Sequence, residues 1–369
     1  MTFKRIVAAS AVSAALLAAP VAARPRTPVH TDHHVHIHSP AILEILPTYC
    51  SSPGRIGPCD PAFIKPLGVD DLLAEMDEAG VQTAWMMSTA YLAESPMMVP
   101  PLPDASARVN DANAFTVAAA AAHPGRLVAF VSVNPLAPDA LAEIEGWKDE
   151  PFAKGLKLHL TNSGVDLRNP EHRRRLAAVF DAASDARLTI MIHMRTRAED
   201  YGARDVRLFV DEVLPHARDV SVVIAHSGGW GGLDDSTWDA MEGFRQILAE
   251  QPAQFPNLFF DLAQVFDAET SPQDRARLVE VMRAIGVQRF VAGSDWPFSG
   301  SLDNYLNRAM TELPLSKEET TSLAERRVIP GPGFSESRRS SEVRVPQHIG
   351  DAKPGVGQNS SQPSSLATQ

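Results

Sequence analysis

Short apolar runs recur along the chain, separated by longer stretches in which apolar residues return every third or fourth position. The short runs read as buried strands at 29–36, 81–88, 127–133, 155–160, 188–193, 220–226, 258–262 and 290–294, eight in all. The periodic stretches read as amphipathic helices, among them 69–79, 109–122, 170–186, 203–216, 238–250 and 271–285. Asn169-Pro170 and Ser271-Pro272 have the form of an N-cap followed by a first-turn proline. Gly80 and Gly286 stand between a helix and the next strand, where a left-handed cap is wanted. Strict alternation of strand and helix means a parallel sheet. Eight such units in about 300 residues favour a closed (β/α)8 TIM-type barrel over an open doubly wound sheet.

In such a barrel the strand ends meet at the C-terminal mouth, and here several strands end on chemistry. The first carries Thr31-Asp32-His33-His34-Val35-His36, the fifth ends on His193, the sixth on His226, and Val291-Ala292-Gly293-Ser294-Asp295-Trp296-Pro297 follows the eighth. Regular alternation puts Asp32, His34 and His36 on one face, with His33 and Val35 on the other and His33 and His38 as spectators. Burying an imidazole or a carboxylate without a partner is costly, and a cation or a hydrogen-bond network relieves it. Two long connections, 37–68 and 94–107, follow strands and so belong to the same mouth.

Composition narrows the class. With 44% hydrophobic and 21% charged residues the chain is an ordinary globular one, and its net charge of −11 argues against nucleic acid as a partner. Lys4 and Arg5 precede an alanine-rich apolar run that ends at Val21-Ala22-Ala23, the form of a cleavable export signal over 1–23; an uncleaved anchor is the other reading. The mature chain would then begin at Arg24, be periplasmic or secreted, and keep no stable membrane insertion. In that compartment Cys50 and Cys59, flanking a loop rich in Pro, Gly and Ser, pair as a disulfide or remain two free thiols. The barrel spans 24–329, and 330–369, rich in Ser, Pro, Gly and Gln, reads as a disordered tail.

Asp-x-His-x-His on the first strand, single histidines ending the fifth and sixth, and Gly-Ser-Asp-Trp-Pro-Phe after the eighth resemble the amidohydrolase superfamily in its amidohydrolase-related branch. That branch includes aminocarboxymuconate semialdehyde decarboxylase and lactone hydrolases, and the likeness runs over about residues 29–325. It implies a divalent metal, usually one zinc with manganese or another first-row ion as the alternative, held by His34, His36, His193 and Asp295. It implies His226 as the group that polarises or protonates the substrate, and Lys157 as a site-wall residue where some relatives carry a carboxylated lysine. Arg195 and Arg197 are candidates to meet a substrate carboxylate, and Trp230 and Trp296 to wall the pocket. Relatives close with a helix bearing an Asn-Ala pair, whereas this chain reads Ala324-Glu325-Arg326-Arg327, so its last barrel helix reads as truncated.

The reaction expected is hydrolysis of a C–O or C–N bond in a small lactone, ester or amide by metal-activated water, with Asp295 taking the proton and His226 steadying the oxyanion. Non-oxidative decarboxylation with the same residues is the alternative, and a non-catalytic periplasmic metal-binding protein is a third. A serine triad is disfavoured, because no Gly-x-Ser-x-Gly elbow occurs. The partner expected is a small-molecule substrate, with homodimerisation left open.

Overall fold

The computed structural model describes residues 28–55, 58–251 and 254–328. Residues 1–23, read from the sequence as an export signal, and the tail from 330 lie outside the described residues. Eight parallel strands stand side by side in chain order. They are β1 Thr31–His36, β2 Thr83–Met87, β3 Leu127–Ser132, β4 Ala153–His159, β5 Thr189–His193, β6 Val222–Ile224, β7 Leu258–Asp261 and β8 Phe290–Val291. Beyond β8 the chain still pairs with β1: His33 N donates to Ala292 O at 3.0 Å, Asp295 N to His34 O at 2.7 Å and His36 N to Trp296 O at 2.7 Å. These bonds bring the last strand onto the first, giving the (β/α)8 barrel that the alternation predicts.

Inside, Trp85, Met87, Phe130, Met191, Val223 and Val291 form a cluster of their own, and Val328 joins it. Val328 follows the last helix, Lys317–Glu325, whose Ala324 O accepts from His30 N just ahead of β1. Val328 therefore enters the cluster from the N-terminal end of the strands, opposite the mouth. Phe130 needs Gly155 beside it, since a Cβ there would lie 2.1 Å from the Phe130 ring. The outer strand faces pack with the helices in a larger cluster that includes Val35, Met86, Leu156, Ile190, Phe209 and Phe244.

One expectation needs revision. β1 does not alternate regularly, because its register against β2 slips between Asp32 and Val35, so the chain carries a bulge there. His33 consequently turns inward, its ring centroid 4.7 Å from that of Trp85 in an edge-to-face contact, instead of facing away from His34 and His36. The last helix, whose sequence reads as truncated, spans Lys317–Glu325 and is capped at its start: Ser316 Oγ accepts from Glu319 N at 3.2 Å while Glu319 Oε2 accepts from Ser316 N at 2.7 Å. Cys50 and Cys59 are joined as a disulfide. Among the described residues no helix is long and apolar enough to cross a membrane.

Candidate active site

At the mouth the strands deliver a dense set of nitrogen and oxygen donors. His34 Nε2 lies 3.1 Å from His36 Nε2 and 3.4 Å from Asp295 Oδ1, and His36 Nε2 lies 3.3 Å from the same oxygen. With Nε2 of both rings unprotonated, two lone pairs and a carboxylate oxygen at these separations repel unless a positive charge stands among them. Donors that share one ion at bonds of about 2.0–2.2 Å are spaced by about 3 Å, so this trio has the dimensions of a metal site. Asp295 owes its place to backbone geometry: it sits at φ 63, turning the chain back so that its own N–H reaches His34 O.

Behind the trio stands Asp261 at the end of β7, a fully buried residue. Its Oδ2 takes the Nδ1–H of His34 at 2.8 Å, which leaves His34 Nε2 with its lone pair towards the donors. Its Oδ1 accepts from His226 N at 2.7 Å and Ala263 N at 3.1 Å. One carboxylate thus fixes one histidine's tautomer and another's backbone. His34, His226 and Asp261 form a second close group of donors. Nothing in the sequence singles out Asp261 except its place at the end of the seventh apolar run.

His226 lies beyond β6 in a tight turn at φ 52, with Ser227 at φ 51 and Gly228 at φ 94. Its Nδ1–H donates to Ala263 O at 2.7 Å, so Nε2 carries the lone pair. Lys157 on β4 is buried and donates to His34 Nε2 at 2.9 Å. His159, one turn of the pleat further on, stacks on His193 with ring centroids 4.0 Å apart. His193 stands 5.0 Å from the His226 ring and has a buried Nδ1 without a partner, outside both close groups of donors.

Burial, reinforced by neighbouring positive groups with Lys157 foremost for His34 and His159 foremost for His193, holds both imidazoles well below their ordinary range. Burial likewise lowers His226, with Asp295 pulling the other way. His34, His193 and His226 are therefore all shifted towards the neutral form that can offer a lone pair. Burial raises the Asp295 carboxyl, but the hydrogen bond from His36 and the charges of His226, His36 and Lys157 outweigh it and hold the group low.

These residues floor a cavity of about 550 Å³. His36, Lys157, His159, His193, His226 and Asp295 line it, and Tyr49, Phe63, Tyr91, Trp230, Phe266 and Phe298 wall it. Arg195 and Trp296, expected at the pocket, are elsewhere. Arg195 Nη1 turns back on its own loop to Thr196 O and Ala198 O at 2.5 and 2.8 Å, its cation over the Tyr201 ring. Trp296 is only 4% exposed and packs in the main core. His38 is structural: Nε2–H donates to Phe63 O at 2.8 Å and Nδ1 accepts from Thr89 Oγ1 at 2.7 Å.

The amidohydrolase family model matches residues 31–327. No curated protein matches the chain. Among solved structures, 5-carboxyvanillate decarboxylase from Sphingomonas paucimobilis is similar with a TM-score of 0.56 at 17% identity, covering 80% of this chain and 96% of that one. The 5-carboxyvanillate decarboxylase of Novosphingobium aromaticivorans, with manganese and 3-methoxy-4-hydroxy-5-nitrobenzoic acid bound, reaches 0.52 at 13%, covering 81% and 95%. An amidohydrolase from Burkholderia multivorans with bound zinc reaches 0.52 at 16%, covering 80% and 95%.

Proposed function

The chain belongs to the amidohydrolase family, and from that premise we propose that this enzyme is a metal-dependent, non-oxidative decarboxylase of small aromatic carboxylic acids. The observation that carries the reading is the shape of the cavity: a floor of converging donors at 3.1–3.4 Å beneath walls of six aromatic side chains. A flat ring fits between such walls, and its carboxylate meets the floor. The decarboxylases among solved structures of the same fold point the same way.

His34, His36 and Asp295 would hold the ion, with His193 as the further ligand the family resemblance offers. A bound divalent ion would supply a fixed positive charge for the carboxylate and an oxygen beside it. Zinc is our proposal for its identity, with manganese the alternative. The chain's own groups do the rest. Asp261 keeps His34 in the Nδ1–H tautomer. The aromatic walls orient the ring and exclude water. As the carbon–carbon bond breaks and CO2 leaves, the electron pair stays on the ring carbon, and His226 Nε2, unprotonated at rest, relays to that carbon a proton taken up from solvent.

Hydrolysis of a lactone, ester or amide is the second reading, favoured by the unprotonated Nε2 of His226, which suits a group that accepts a proton from water. Metal-loaded protein offered hydroxybenzoic acids, aryl esters and lactones separates the two. Metal-dependent CO2 release from a ring acid is the expected result, and turnover of esters or lactones without CO2 would overturn it. Export is a proposal of its own: mass spectrometry of periplasmic material should show a chain beginning at Arg24, and one beginning at Met1 would contradict it.

A further inference from the structure

One side of the cavity is walled by a single stretch of chain, since Tyr49, Arg55, Pro58, Asp60 and Phe63 all line it. We propose that the Cys50–Cys59 disulfide and Arg197 form a two-point clasp on this stretch, so that the redox state of one cysteine pair sets how tightly the cavity holds its ligand. The inference rests on the reading of this cavity as the substrate site.

The clasp has a rigid end and a loose end. Cys50 closes the helix Pro40–Cys50, whose Ile42, Ile45, Leu46 and Tyr49 are buried in a cluster of their own. Tyr49 OH donates to Asn162 Oδ1 at 3.0 Å and Ser95 Oγ donates to Asn162 O at 2.6 Å, so this end is tied to the loops after β4 and β2. The disulfide fastens Cys59, nine residues on, to that rigid end. Further along, Phe63 is held through its carbonyl by His38. Between Cys50 and Cys59 the described backbone N–H groups make only local bonds, among them Arg55 N to Ser52 O at 3.2 Å and Gly54 N to Ser52 Oγ at 3.3 Å.

Arg197, in the loop after β5, supplies the second point. Its Nη1 donates to Gly54 O at 2.9 Å, its Nη2 touches Met97 Sδ, and its Nε reaches Thr161 O at 3.4 Å. One guanidinium thus bridges three loops without lining the cavity. It is a positioning residue. The group it helps to place is Arg55, whose cation lies 4.9 Å over the Tyr49 ring and whose buried Nε has no hydrogen-bond partner. The floor donors stand on the strands and are independent of this stretch, so releasing the clasp should loosen binding and spare the metal.

Reduction by a dithiol breaks the Sγ–Sγ bond. Two electrons and two protons pass to Cys50 and Cys59, giving two thiols, and the dithiol closes to its own disulfide. A wall freed in this way must be ordered again each time ligand enters, which weakens affinity without altering the chemistry.

The test uses the metal-loaded full chain as wild type, Cys50→Ala/Cys59→Ala, Arg197→Ala and Arg197→Lys, with 4-hydroxy-3-nitrobenzoate as the probe. We expect faster backbone amide exchange over 51–55 and 58–63 and roughly tenfold weaker probe binding after dithiothreitol or loss of both cysteines. Arg197→Ala should move both readouts the same way and Arg197→Lys, with one ammonium in place of the fork, should restore them in part, with metal content unchanged throughout. Exchange and affinity that ignore reduction would overturn the clasp, as would faster exchange with unaltered affinity. If the wild type does not bind the probe, the ring-acid reading of the site fails, and amide exchange alone decides whether disulfide and Arg197 hold the wall.

Discussion

Asp261 shows how much of a site can depend on a residue that touches no substrate. It fixes the His34 tautomer and the His226 backbone together. Asp261→Asn keeps the size and removes the charge, and should lower metal affinity about 10–100-fold while leaving the barrel folded. Equilibrium dialysis against a metal buffer, with circular dichroism as the control, measures it, and wild-type affinity would remove Asp261 from the site. His34→Ala and Asp295→Ala should lose the metal outright by elemental analysis. His193→Ala, whose residue stands outside both close donor groups, asks whether the resemblance assigns it correctly. His226→Asn should retain metal and lose turnover about a hundredfold or more, and loss of metal instead would make His226 a ligand.

At the scale of elements, what was legible in the sequence was periodicity, and what was hidden was local departure from it. All eight strands lie where apolar runs predict them, because burial on both faces leaves a plain hydrophobic signature. The bulge in β1 carries no such signature, and it turned His33 inward. Arg195 was misplaced for a related reason: its position after a strand is readable, but the carbonyls of its own loop that capture it are not. Gly155 tests the packing between neighbouring strands. Gly155→Ala should lower stability by about 1–3 kcal/mol in urea denaturation, since the Phe130 ring would have to move. On the loops after β2 and β3, burial and then the nearby Asp139 raise Glu94 to about 7. A raised carboxyl stabilises the fold below its unfolded value, and that contribution is lost as pH rises through 7. Glu94→Gln should therefore flatten the fall in stability between about pH 4.5 and 7, measured by denaturation at several pH values, whereas an unchanged slope would count against it.

For the molecule as a whole, the decisive bonds join the two ends of the barrel. Val328 fills the interior from the far side of the sequence, and Val328→Ala should cost about 1–2 kcal/mol in the same denaturation assay. The donor trio draws on residues 34, 36 and 295, held in place by hydrogen bonds between β1 and the segment after β8. A polypeptide still on the ribosome therefore presents only the two histidines until residue 295 has been made and has emerged. Metal acquisition becomes one of the last events in the life of a nascent molecule, and fragments released early are born unable to hold the ion.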